Sequence, residues 1–431
     1  MSFGRPGERN DCNIFGQMIV DVPLTPARKG VLMQEGVLLK FDAGAASEAA
    51  IANSRIARLT ASRALLSQAP LTARRSALVH YWLVGRRGGE IVLEAIAELL
   101  PQADLIGHII DPAMLFGSLE GRQTRETFIA RLPFARKNYQ AYLTLMPMAL
   151  EAMDMSKYDL VISSEAGPAK WVVASPDARH ICYCHSPLRY IWDQRAVYFN
   201  QLPSLARPLA EIAAGQMRRS DILSSTRVDD FVANSSFVAR RIWKYYRREA
   251  EVVHPPINVN DYHVGEPEDF YLVAGEYRQY KRFDLAIEAC SRLGRRLFVV
   301  GSGTDAPELK AKAGPGVTFL GKLDTAEFRS VLARCRALLF PGVEDFGIIP
   351  VEAMASGRPV IAFGRGGALD SVKHGVSGLV YDGGEATDLI NAMIAFEAEE
   401  QHFRPSDSVE VARAFDRTVF QQKFGEILAR D

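Results

Sequence analysis

A chain of 431 residues exceeds one comfortable hydrophobic core and implies two domains, with room for an appendage. Its 48% apolar and 24% charged residues argue against disorder, and 51 basic against 51 acidic side chains argue against a dedicated nucleic-acid binder. Five cysteines are too few, and odd in number, for a secreted disulfide framework; no apolar run is long enough to span a bilayer and no signal peptide is visible over 1–20, so a cytoplasmic protein is expected.

Residues 1–75 read as an N-terminal extension without a motif. Within it, 49–66 could form a helix carrying Ile51, Ile56, Leu59, Leu65 and Leu66 with Arg55, Arg58 and Arg63, lying on a membrane, packing on the core or staying disordered. From about Ser76 strands and helices alternate, the signature of a doubly wound α/β sheet. Ala77 to Val84 is an apolar strand. Gly88-Gly89 then opens a helix with an Ile91, Val92, Ala95, Ile96, Leu99, Leu100 stripe, and its amides could approach a phosphate.

Two basic-aromatic segments follow. Arg122 to Leu143 and Arg240 to Arg248 read either as contacts for anionic lipid head groups or as amphipathic helices with solvated basic faces. Between them Asp159 to Ser163, His180 to Cys184 and Phe231 to Asn234 are short strands. Cys182 and Cys184 share one strand face; small apolar residues in a buried strand explain them better than a metal site with His185. The Pro-rich crossing His254-Pro-Pro-Ile257 closes this half.

The second half begins with the strand Phe270 to Ala274 and the cationic turn Gly275-Glu-Tyr-Arg-Gln-Tyr-Lys-Arg282, ahead of a helix over 285–293. Leu297 to Val300 runs into Gly301-Ser-Gly303, Val317 to Leu320 ends at Gly321, and Ala337 to Phe340 leads into a loop bearing Glu344. Pro350 suits a first helical turn, Gly357 caps that helix, and Val360 to Phe363 is the next strand. Glu344 thus sits on the loop and Glu352 on the helix, with the amides of Phe346 and Gly347 beside a positive helix terminus. Two such carboxylates could take hydroxyl hydrogen bonds from a sugar and a ribose in one crevice. A last helix is expected over Val409 to Leu428.

The run from Glu344 through Glu352 to Gly357-Arg-Pro-Val360 and Gly364-Arg-Gly-Gly-Ala-Leu-Asp370 resembles the Glu-x7-Glu element of retaining glycosyltransferases of family 4. Tyr183-Cys-His-Ser-Pro-Leu-Arg-Tyr-Ile-Trp192 is similar to a segment of a mannosyltransferase-like branch of that family, and Tyr280-Lys281-Arg282 to its Tyr-Lys-Arg element. The resemblance covers roughly Ala77 to Leu428. It implies a GT-B fold: two Rossmann-like domains at 76–264 and 265–407, a catalytic cleft between them, and a C-terminal crossover helix at about 408–431 returning to the first.

On the matching positions the resemblance implies roles. Glu344 with Phe346 and Gly347 would hold the hexose, Glu352 the ribose, and Lys281 the departing diphosphate. His185 with Gly88 and Gly89 would position donor and acceptor, Gly303 would border the nucleotide, and Arg189 and Trp192 would face the acceptor. The family commonly has arginine where this chain has Glu276, so Arg278 or Arg282 would substitute, or Lys281 acts alone. The donor is expected to be GDP- or UDP-linked, best GDP-mannose. The acceptor is expected to be a lipid-linked saccharide of a bacterial surface polysaccharide, with no cofactor or metal, at a peripheral position on the inner face of the cytoplasmic membrane. A nucleotide-sugar epimerase and a non-catalytic sugar- or lipid-binding scaffold are the rival readings.

Overall fold

The computed structural model describes residues 74–200 and 202–430, together with the backbone at 33–34 and 37–38. The chain divides into two compact units, 1–61 and 62–431. In the first, β1 (Met33–Gln34) pairs antiparallel with β2 (Val37–Leu38). The helix expected over 49–66 lies outside the described residues.

Near-continuous apolar strands, the pattern of sheets covered on both faces, build two parallel sheets. The first contains β3 (Ser76–His80), β4 (Asp104–Gly107), β5 (Thr124–Glu126), β6 (Leu160–Glu165), β7 (Arg179–Cys184), β8 (Asp230–Ala233) and β9 (Ala250–Val252), ordered β5-β4-β3-β6-β7-β8-β9. The second contains β10 (Tyr271–Ala274), β11 (Leu297–Val300), β12 (Val317–Gly321), β13 (Ala337–Phe340), β14 (Val360–Phe363) and β15 (Gly378–Tyr381), ordered β12-β11-β10-β13-β14-β15. In both, the strand order reverses beside the first strand, between β3 and β6 and between β10 and β13. Such switch points leave a crevice beyond the strands' carboxyl ends.

The last expected helix is two. Pro405–Arg413 packs Val411 and Ala412 against Val351 and Met354 of the second lobe. Arg417–Leu428 crosses to the first, placing Phe420, Phe424, Ile427 and Leu428 among Leu78, Leu93 and Ile96. The break has a cause. Ile257 donates its N–H to Phe415 O (3.0 Å) and accepts from Arg417 N (2.9 Å), while Asp416 caps the new helix through Thr418 N. The Pro-rich crossing and the returning chain are therefore tied together where they pass between lobes.

Three other expectations are corrected. The first strand stops at His80, with Leu83 making only an isolated bridge to Ile110. Segment 122–143 is no amphipathic helix. It holds β5, 3-10 turns and the four-residue helix Ala135–Asn138, interrupted at Pro133-Phe134, and the Arg122 guanidinium is spent on the carbonyls of Leu100 and Ala103. Ser236–Tyr246 is a helix, but Arg241 points inward rather than into solvent.

Among the described residues no helix is long and apolar enough to cross a membrane.

Candidate active site

Strand ends from both lobes converge on one hollow of about 250 Å³. The first lobe supplies Gly88 and Gly89 at the start of helix Gly88–Leu99, and His185, Ser186 and Arg189 directly after β7; the second supplies Tyr280, Glu344, Phe346 and Gly347. Most of the residues that the motifs single out are therefore brought together by the two switch points.

His185 is fixed on every side. Its N–H donates to Glu165 O (2.8 Å), its carbonyl accepts from Asn234 Nδ2 (2.9 Å), and its ring Nε2 lies 2.9 Å from Ser164 Oγ. Burial pushes its pKa down to about 4, with Asp345 opposing, so the ring is neutral near pH 7. A Cβ on Gly89 would lie 3.0 Å from Tyr81 Oη, which would have to give way, and 3.8 Å from His185 Nε2, an ordinary contact.

Gly347 has φ +82°, and a Cβ there would meet the Phe340 ring at 2.6 Å. Only glycine lets the loop turn so closely into helix Ile348–Ala355, leaving the unpaired amides of the first turn beside Glu344. Lys281 does not line the hollow itself; its Nζ donates to Glu344 Oε1 at 2.8 Å. Burial would lower the lysine's pKa, but Glu344 and then Tyr280 outweigh it and raise it. A permanent cation thus stands against the carboxylate expected to hold the sugar.

Glu352 occupies a separate, smaller hollow that shares Ile348 with the first. Its Oε1 accepts a 2.7 Å hydrogen bond from Tyr262 Oη, and burial raises its pKa, opposed by that bond and by Arg329. The two glutamates therefore line adjoining hollows that meet at Ile348, Glu344 on the loop and Glu352 one helical turn on, where the helix meets the 256–262 crossing.

Other expected contacts are turned elsewhere. Arg278 binds Glu276 twice (3.0 and 2.6 Å) and Arg282 binds Asp284 and the Gly384 carbonyl, so neither lines the hollow. Trp192 is packed instead of facing an acceptor: its indole donates to Asp221 Oδ2 (2.7 Å) and stacks on Tyr245 at 4.6 Å. Gly303 sits against the Tyr277 backbone, which leaves no room for a Cβ, and bridges to Tyr277. Cys182 and Cys184 are buried thiols pushed upward by desolvation, as a strand-core role requires.

The motifs did not single out Asp345. It accepts ion pairs from Arg189 and Arg241 of the first lobe, and its carbonyl accepts from Ser235 Oγ at 2.5 Å. Arg189 is thus a tie between lobes, one residue from Glu344. Behind the site lies a second ion cluster. Lys170 Nζ contacts Glu165 Oε1 (2.6 Å) and Asp221, all fully buried, and Tyr246 and Trp192 complete the Asp221 carboxylate.

A "Glycosyltransferase Family 4" model matches residues 86–261, and a "Glycosyl transferases group 1" model matches residues 268–398. The chain belongs to the family 4 glycosyltransferases. Among curated family members, human alpha-1,3/1,6-mannosyltransferase ALG2 is 30% identical over 191 residues, 35% of this chain and 46% of that protein. D-inositol 3-phosphate glycosyltransferase of Nocardia farcinica is 29% identical over 219 residues, 43% and 49% of the two chains. The chain thus spans about half the length of these relatives.

Solved structures show the same GT-B fold. Anabaena HepE in complex with UDP and glucose superposes with a TM-score of 0.63 at 16% identity, covering 83% of this chain and 100% of that one. Sucrose-phosphate synthase of Thermosynechococcus elongatus gives 0.62 at 18% identity, covering 82% and 98%. The two Rossmann-like lobes and the crossover helix of this family 4 chain are the GT-B architecture.

Proposed function

We propose that the chain transfers a hexose, best mannose from GDP-mannose, from a nucleotide sugar to a lipid-linked saccharide with retention at the anomeric carbon. One observation carries this reading: His185 and Gly89 from one lobe and Glu344 from the other meet at a single hollow between two switch points, with Lys281 bonded to Glu344. A sugar seated there has a carboxylate and a neutral imidazole for its hydroxyls. Its diphosphate has Lys281 and the start of helix Ile348–Ala355 for its charge.

The acceptor oxygen bonds to the anomeric carbon as the bond from that carbon to the diphosphate oxygen breaks. The acceptor's proton passes to the leaving diphosphate on the same face. Lys281 stabilises the charge that the diphosphate gains, with neither a protein nucleophile nor a resident metal ion in the step. Mannose is supported by the likeness to the mannosyltransferase named above and by the His185–Trp192 segment. A surface-polysaccharide acceptor on the inner face of the cytoplasmic membrane completes the reading.

Purified protein incubated with radiolabelled GDP-mannose, UDP-glucose and other nucleotide sugars, plus a bacterial lipid extract, tests it. Label moving from GDP-mannose into lipid is the expected result. Donor isomerisation without transfer would make the chain an epimerase, and donor binding without turnover a scaffold.

A further inference from the structure

Phe134 combines two costs that no contact of its ring offsets among the described residues. Its φ of +56° is in the left-handed region that disfavours bulky side chains, and its side chain is 84% exposed. The loop that holds it is overdetermined. Tyr142 Oη donates to Pro133 O (2.7 Å), Lys137 and Asn138 donate their N–H groups to Phe134 O (3.0 and 2.9 Å), and Arg136 is clamped on Glu126 (2.6 Å). A phenyl ring is therefore held rigidly out into solvent at a backbone conformation where glycine would be cheaper.

The surroundings say what covers it. Residues 131–143 contain Arg131, Arg136 and Lys137 and no acidic residue. Arg131 and Lys137 are exposed, and neither has an ion-pair partner among the described residues. One short helix beyond the tip, Tyr139 packs on Trp82 (ring centroids 4.7 Å apart), and Trp82 on Tyr81, whose hydroxyl abuts Gly89. The tip thus belongs to the wall that leads to the Gly88-Gly89 side of the hollow.

We infer that Phe134 is the tip of a membrane-docking loop, entering the boundary between head groups and acyl chains of an anionic phospholipid bilayer while Arg131 and Lys137 pair with lipid phosphates. An aromatic ring flanked by cations suits that boundary, and a rigid tip loses little entropy on docking. This site deepens the lipid-linked acceptor reading: docking there sets the first-lobe wall of the hollow against the membrane carrying the acceptor.

The full chain is floated with vesicles of phosphatidylglycerol and phosphatidylethanolamine in equal parts, and with vesicles of phosphatidylcholine. Wild type should bind the anionic vesicles, losing binding at high salt. Phe134→Gly should weaken that binding roughly ten-fold or more while raising Tm, because glycine fits the left-handed turn. Arg131→Glu with Lys137→Glu should abolish anionic binding and leave phosphatidylcholine binding unchanged. No vesicle binding by wild type, unchanged binding in Phe134→Gly, or a lower Tm there would overturn the inference. So would concentration-dependent dimerisation that Phe134→Gly abolishes, since the ring would then cover a second copy. Vesicle binding needs no turnover, so a failed transferase assay leaves this result readable.

Discussion

Lys281 Nζ lies 2.8 Å from Glu344 Oε1, and the two side chains are 10% and 19% exposed. The cation and the carboxylate reach this contact from different switch-point strands, Lys281 after β10 and Glu344 after β13. The pair places the charge expected to meet a leaving diphosphate directly beside the group expected to hold the sugar. Lys281→Ala should therefore lower kcat about a hundred-fold or more, the scale of losing one charged transition-state contact, while the protein still melts cooperatively at a Tm lowered by the loss of the Glu344 ion pair. A near-normal kcat beside an intact melting curve would remove Lys281 from the chemistry.

Asp345 predicts a coupling between the lobes. Arg241 Nη1 reaches its Oδ1 at 2.5 Å while Nη2 holds Asp193 at 2.7 Å, and Arg189 takes the other Asp345 oxygen. Ser236 N donates across the same seam to Asp370 Oδ2 at 2.6 Å. Asp345→Ala would leave Arg189, 23% exposed, without its carboxylate and Arg241, 8% exposed, with Asp193 as its remaining one, at a cost of about 3 kcal/mol. Small-angle scattering should show a larger radius of gyration, and donor KM should rise because Glu344 is the adjacent residue. Arg241→Lys should rescue little, since an ammonium cannot bridge two carboxylates as a fork does. An unchanged radius and KM would mean that the seam is packing only.

Glu352 faces a competitor within the protein. Tyr262 Oη already donates to Oε1 at 2.7 Å, so a ribose hydroxyl expected there would have to displace it or use Oε2. Glu352→Ala should weaken nucleoside diphosphate binding by about ten-fold, the scale of a hydrogen bond to a charged group. Tyr262→Phe should leave binding equal or tighter. Calorimetry separates the cases: if Tyr262→Phe weakens binding as much as Glu352→Ala, the pair is a structural clamp and not a ribose site.

The fold and much of the site were legible because strand-end motifs carry local geometry. His185 after β7, the glycines after β3 and Glu344 after β13 are placed by chain direction alone, since parallel strands deliver their carboxyl ends to one side. What was hidden depends on partners far away in sequence. Nothing near Trp192 announces that Asp221 takes its indole N–H, or that Arg189 turns to Asp345 rather than outward. Glu276 with Arg278 is a near miss: two residues of opposite charge two positions apart signal a local pair that consumes the arginine. The break at Phe415 was equally invisible, because Val409 to Leu428 keeps a helical stripe while backbone bonds from Ile257 interrupt it.

The buried histidines fix the sign of the acid response. Burial lowers His80, His108, His180 and His185 below the ordinary histidine value, the last three to about 4. In the unfolded chain each takes a proton near pH 6.5, whereas in the folded chain each stays neutral until lower pH. Their contribution to stability is therefore complete above pH 6.5 and lost as pH falls from there towards 4, at up to about 1.4 kcal/mol per pH unit for each ring. Glu165 acts in the opposite sense. Desolvation raises its pKa despite Lys170, so protonation favours the folded state as pH falls towards the ordinary glutamate range. Burial raises Glu90 and Glu352 as well and lowers His254, so three carboxylates stand against five imidazoles and a net loss remains. Tm should drop steeply between pH 7 and pH 5, and Ser164→Ala, which removes the Oγ partner of His185 Nε2, should shift kcat while leaving that slope nearly unchanged. A Tm that holds steady or rises over this interval would show that the histidines are not neutral in the folded protein.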